Sequence, residues 1–121
     1  MAEAVARQDA SDVIQPVSAG LSPLGHIERM TIHTLACNGY SSKGLRSKAV
    51  TAQILRSAEL LVNMSGGPNS VLEAGIFPDG LKVEEWRVQD PYGADESIYQ
   101  KILDDIVERV SGLADRLREQ R

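Results

Sequence analysis

Cysteine is almost missing from this chain. Cys37 stands alone, which excludes an internal disulfide and a Cys-rich metal cage and suits a reducing, cytoplasmic compartment. Histidine is limited to His26 and His33, with no carboxylate at a ligand spacing from either, so no metal is expected and no cofactor is assigned. Aromatic residues are only 4% of the chain (Tyr40, Phe77, Trp86, Tyr92 and Tyr99), leaving few surfaces on which nucleic-acid bases could stack. Positive charge is not in excess: 13 Lys and Arg against 17 Asp and Glu give a net charge of -4, with no basic block to attract a phosphate backbone or an anionic bilayer. Long apolar runs are missing too, none approaching the roughly 20 residues that span a membrane. The opening stretch Met1 to Gln8 carries an early acid and no continuous apolar core, so it does not read as a signal peptide. Neither nucleic acid nor membrane is therefore an expected partner.

What the chain does have is 121 residues that are 42% apolar, mostly Val, Ile, Leu and Ala, enough for one compact domain with a real core. Met1 to Arg7 favours helix but is too short to stand alone. Val13 to Ala19 is loosely alternating and β-branched, and Pro16 makes it an edge strand. His26 to Asn38, bounded by Pro23-Leu24-Gly25 and Gly39, reads as a helix with Ile27, Thr31 and Leu35 on one face. Val50 to Ser57 reads as a second short helix with Thr51 as cap. Leu60-Leu61-Val62 suits a buried parallel strand. Pro68 to Ala74 reads as a short helix, and Lys82 to Val88 as a further strand. The final helix follows Asp95 and carries Ile98, Ile102, Ile106, Val110, Leu113 and Leu117 at helical spacing. Strands separated by helices require crossovers, hence an α/β fold with a mainly parallel sheet.

Several segments, in this order, resemble the low-molecular-weight protein tyrosine phosphatase family, whose fold is shared by thioredoxin-coupled arsenate reductases. They are Met1-Ala2-Glu3-Ala4, Ser18-Ala19-Gly20, the helix ending at Gly39, Ser47-Lys48, Ala58 to Met64, Asp90-Pro91-Tyr92-Gly93 and the final helix. The resemblance implies a three-layer α/β/α fold with a four-stranded sheet. In the family a first strand leads into a Cys-x5-Arg-Ser loop that cradles phosphate, and Met-Ala-Glu-Ala lies just after that loop. The expectation is therefore a single domain over residues 1–121 that is N-terminally truncated, lacks the nucleophile and the phosphate-binding arginine, and is inactive alone. Cys37 does not replace that nucleophile: the position where the arginine would stand is Lys43, and a helix C-terminus offers carbonyls where thiolate and phosphate need N–H groups. Cys37 reads as a small, partly buried apolar residue.

By resemblance, the family reaction is hydrolysis of phosphotyrosine or an aryl phosphate through a cysteinyl-phosphate, with the Asp-Pro aspartate as general acid; here that is Asp90. A leaving phenoxide departs far better when an acid within hydrogen-bond reach gives it a proton. Composition alone reads Asp90-Pro91-Tyr92-Gly93 as a turn, and the two roles are compatible. Ser18 matches a serine beside the phosphate loop; it either orders that loop or is a hydroxyl satisfied by nearby backbone. Tyr92 matches a position at the pocket mouth, and packing against the final helix accounts for it equally. The family pattern is altered at Lys48, where Arg is usual, at Leu45, where His is common, and at Glu59, where Asp is common. Glu84 and Glu85 are neighbours on a strand and point to opposite sides, so they are not a paired carboxylate site.

The expected partner is a phosphorylated protein or a small aryl phosphate, together with self-association through an exposed sheet edge. Two alternatives stand beside the phosphatase reading. One is a non-catalytic binding or regulatory remnant of the fold. The other is an arsenate reductase-like protein, disfavoured because Met64 to Gly80 holds no relay cysteines.

Overall fold

The computed structural model describes residues 1–20, 25, 27–64, 80–89, 91 and 93–120. Ala-rich sequence with Glu3 in the first turn and Arg7 in the last, each complementing the helix dipole, forms helix α1 over Ala2–Asp9. It is too short to persist alone and survives by burying Ala4, Val5 and Ala6. Helix α2 spans Arg29–Cys37, starting later than the sequence pattern suggests because Glu28 is extended. It closes at Gly39, whose φ of +81° suits glycine, while the Tyr40 N–H reaches back to the Leu35 carbonyl at 2.9 Å. Helix α3 covers Ala52–Ser57, capped as expected by the Thr51 hydroxyl, which accepts from the Ile54 N–H at 3.2 Å.

Strand β1 (Leu60–Asn63) pairs in parallel with strand β2 (Lys82–Glu85), Leu61 lying opposite Val83. β2 ends earlier than the expected Val88: the Trp86 backbone N–H still donates to the Asn63 carbonyl at 3.0 Å, and the indole of Trp86 turns into the core. The indole N–H donates to Glu84 at 2.9 Å. Helix α4 spans Glu96–Glu119, started by the Asp95 carboxylate accepting from the Ile98 N–H at 3.1 Å. Its inward stripe of Ile102, Ile106, Val110 and Leu113 is buried as the spacing requires, with Tyr99 and Leu103 filling the flank of the same face. α4 packs against both α1 and α2 and is the common wall of the core.

Two expectations are corrected. Val13 to Ala19 is not a strand: among the described residues the ladder contact nearby is the parallel bridge from Gly20 to Ala49. Pro16 has no N–H to donate, and the Ser18 N–H is spent on the Glu3 carboxylate at 3.0 Å, so no regular ladder propagates. Cys37 is exposed, not partly buried. It lies two residues past the buried Leu35, roughly 200° round the helix, and so faces the other way. The expected Pro68 to Ala74 helix lies outside the described residues. The architecture is the three-layer α/β/α fold with a parallel sheet.

Candidate functional site

The segments on either side of the Gly20–Ala49 bridge form one wall of a cleft. The Gly20 N–H donates to the Lys48 carbonyl at 2.8 Å and the Val50 N–H to the Gly20 carbonyl at 3.1 Å, which clamps Ser18-Ala19-Gly20 against Ser47-Lys48. The opposite wall is the N-terminal end of α1 and the entry to α2. The space between them is about 260 Å³ and is lined by Met1, Ser18, Glu28, Arg46, Ser47 and Lys48 among others. Two cationic side chains and the positive end of α1 border this cavity, which together outweigh the one lining carboxylate, Glu28. The Met1 α-amino group is held below its usual pKa, chiefly by burial, with the negative charge of Glu3 pulling the other way.

Glu3 is the support behind this wall. Its side chain is nearly enclosed, and its carboxylate accepts from the Ser18 N–H at 3.0 Å, from the Ser18 hydroxyl at 2.7 Å, and from the Arg7 guanidinium. Arg7 also donates to the Lys43 carbonyl at 2.6 Å, linking α1 to the loop that leads to Ser47. Ser47 in turn accepts from the Gly25 N–H at 3.1 Å. The Ser18 hydroxyl is therefore satisfied by a buried acid, a partner that neither sequence reading proposed. Glu3 escaped sequence reasoning because a helical glutamate four residues before an arginine looks like an ordinary surface pair. Its one distinguishing signal was its setting among Ala and Val on a helix otherwise meant for the core.

Of the sequence-derived site residues, the structure brings Ser18, Ser47 and Lys48 together at the cleft. Leu45 packs on the core. Asp90 and Tyr92 lie outside the described residues; between and after them, Pro91 accepts from the Ala94 N–H at 2.8 Å and Gly93 sits at φ +81°, closing a turn before α4. Glu84 and Glu85 have separate partners, as strand geometry requires. Glu84 accepts from Arg116 at 2.7 Å, and Glu85 pairs with Arg87 at 3.7 Å. Cys37 lines no part of the cleft. No helix among the described residues is long and apolar enough to cross a membrane.

Known proteins share this fold. A provisionally named arsenate reductase of Halobacterium salinarum is 25% identical over 109 residues, which is 90% of this chain and 73% of that protein. The tyrosine phosphatase Wzb from Escherichia coli K30, solved in complex with sulphate, superposes with a TM-score of 0.80 at 22% identity, over 96% of this chain and 87% of that one. A low-molecular-weight protein tyrosine phosphatase from T. tengcongensis superposes with a TM-score of 0.85 at 18% identity, over 96% and 88%. These likenesses carry the fold. The sequence model for the low molecular weight phosphotyrosine protein phosphatases matches residues 1–121, and this chain belongs to that family.

Proposed function

We propose that the domain serves phosphoryl transfer from phosphotyrosine or a similar aryl phosphate, with Asp90 as general acid, and that these 121 residues alone do not complete the reaction. The observation that carries this reading is the family match along the whole chain, combined with a cleft bordered by Arg46, Lys48 and the N-terminal end of α1. In the family reaction a cysteine thiolate attacks phosphorus, the P–O bond to the phenol breaks, and the aspartic acid gives its proton to the leaving oxygen. The same aspartate, now a base, takes a proton from the water that releases phosphate. This sequence contains the aspartate in its Asp-Pro setting but no Cys-x5-Arg. Tyr92 stands as a candidate for the pocket mouth. Ser18, held by Glu3, is a positioning residue for whatever loop enters α1.

The test compares two proteins on a chromogenic aryl phosphate: the 121-residue chain, and the same chain joined at its N-terminus to a strand and Cys-x5-Arg-Ser loop. The first is expected to show no turnover and the second to show it. Asp90→Asn in the joined protein lowers kcat by about 10²- to 10⁴-fold, the range for loss of a general acid. Turnover by the 121-residue chain that survives Cys37→Ser would overturn the proposal.

The name of the Halobacterium relative favours a second reading, reduction of arsenate. That chemistry in its thioredoxin-coupled form passes a disulfide between cysteines, and Cys37 has no second cysteine in this sequence to pair with. The phosphatase reading is therefore preferred to it, and to a purely binding remnant of the fold.

A further inference from the structure

On the α2–α4 seam, away from the cleft, three metal-ligating side chains converge. His33 and Cys37 lie four apart on α2 and so share a face. Glu96, in the first turn of α4, comes to meet them across 63 positions of sequence. The His33 Nε2 is 3.0 Å from a Glu96 carboxylate oxygen and 3.6 Å from the Cys37 Sγ, and one ligand atom from each residue lies within 4.8 Å of the others.

From these contacts we propose that His33, Cys37 and Glu96 form a binding site for a zinc-class divalent transition-metal ion. The two separations measured from the His33 Nε2 are close to two edges of a tetrahedron; the Cys37 Sγ also lies 3.9 Å from the His33 Nδ1, beside the ring, so the imidazole turns to aim its Nε2 lone pair at the ion. Zinc held by sulfur at about 2.3 Å and by nitrogen at about 2.0–2.1 Å sets those two ligands about 3.6 Å apart. That is the observed Sγ to Nε2 separation. Nitrogen and oxygen ligands at about 2.0–2.1 Å lie about 3.3–3.4 Å apart, so the Glu96 oxygen needs to recede only a few tenths of an ångström from His33. All three residues are exposed, leaving an open path for the ion and freedom for these adjustments.

The donor set selects the ion. A thiolate and an imidazole favour zinc, cobalt and nickel over magnesium or calcium, which take oxygen ligands. Three protein ligands leave one corner for water. On binding, the Cys37 thiol gives its proton to solvent as the sulfur–metal bond forms, while the His33 Nε2 and the Glu96 carboxylate each donate a lone pair. The frame around the site is already held. One position beyond Cys37, the Asn38 amide donates to the Gln100 carbonyl oxygen at 2.8 Å, and the Gln100 amide donates back to Asn38 at 2.9 Å. Gln100 is one turn beyond Glu96, so this amide pair keeps the two helices in register beside the ligands. An ion here would staple α2 to α4 with no connection to phosphate chemistry.

The test titrates the reduced 121-residue chain with zinc alone and with cobalt alone. The expected result is one zinc ion per chain and a cobalt complex with a thiolate-to-metal charge-transfer band. Cys37→Ser removes that band, and Cys37→Ser and His33→Ala each weaken zinc binding at least about 100-fold, the upper end of the effect of losing a mere supporting partner. All three ligands are on the surface, and unchanged circular dichroism of the variants verifies their folding. The proposal is overturned if zinc does not bind, if cobalt binds without the thiolate band, or if both variants bind zinc as the unaltered chain does.

Discussion

Tyr40 shows how partial burial and one neighbour together tune a side chain. Its hydroxyl donates to the Asp9 carboxylate at 2.5 Å, and burial together with that partner pushes its pKa up to about 12 from the usual 10.0. Burial is the larger cause, because it removes part of the water that would solvate an ionised phenol, and the Asp9 charge adds to it. A folded-state pKa above the unfolded one means that the neutral phenol is favoured by folding. Its contribution to stability is complete below about pH 10 and is lost as pH rises through about 12. In an ultraviolet absorbance titration Tyr40→Phe is expected to remove a late-ionising component, along with part of the fall in stability over that interval. Glu84 is displaced the opposite way, its carboxyl held low by hydrogen bonds from Arg116 and then from Trp86. Its contribution is therefore present above the ordinary glutamate range and lost as pH falls through the lowered value.

Among the elements, those whose ends and faces are written in local chemistry were legible. The Thr51 and Asp95 caps begin α3 and α4 where the sequence places them, and the apolar stripe of α4 is buried where its spacing points inward. The segment from Val13 to Ala19 was not legible, since its β-branched pattern says nothing about a carboxylate from α1 taking the Ser18 N–H. The structure turns α1 from an unsupported short helix into the anchor of that segment. Glu3→Ala would leave the Ser18 N–H, the Ser18 hydroxyl and the Arg7 guanidinium without their shared acceptor. We expect a loss on the order of 1 kcal/mol, the size of an average net hydrogen bond, because Ser18 and Arg7 are exposed enough for water to replace part of what the carboxylate gives. The measurement is the shift of the urea midpoint at constant slope, and an unchanged midpoint would show that water replaces the carboxylate without penalty.

At the scale of the whole molecule, the sheet among the described residues is two-stranded. Among the described residues β1 pairs with β2 alone, and Leu60, Leu61 and Val62 are only half-buried. An apolar strand at the margin of a small sheet is a template for another chain. The 121-residue chain is expected to self-associate as its concentration rises, seen as a mass above that of a monomer in light scattering. A monomer at all concentrations with a single cooperative melt is the contrary result. The cleft and the proposed metal site lie on separate contacts of the same core, one at α1 and the Gly20–Ala49 bridge and the other on the α2–α4 seam. Substitutions at one are therefore not expected to alter the other.

Sequence by itself determined the class of fold, the long amphipathic helix and its cap, the parallel strand at Leu60 to Val62 and the family, because each rests on residues close together in the chain or on their order. Only the tertiary structure decided that Glu3 holds Ser18, that Cys37 faces outward, and that His33 and Cys37 meet Glu96. Those contacts join segments far apart in the chain. Local periodicity says which face of a helix turns inward, but the partners a polar side chain finds depend on where the core places the neighbouring elements.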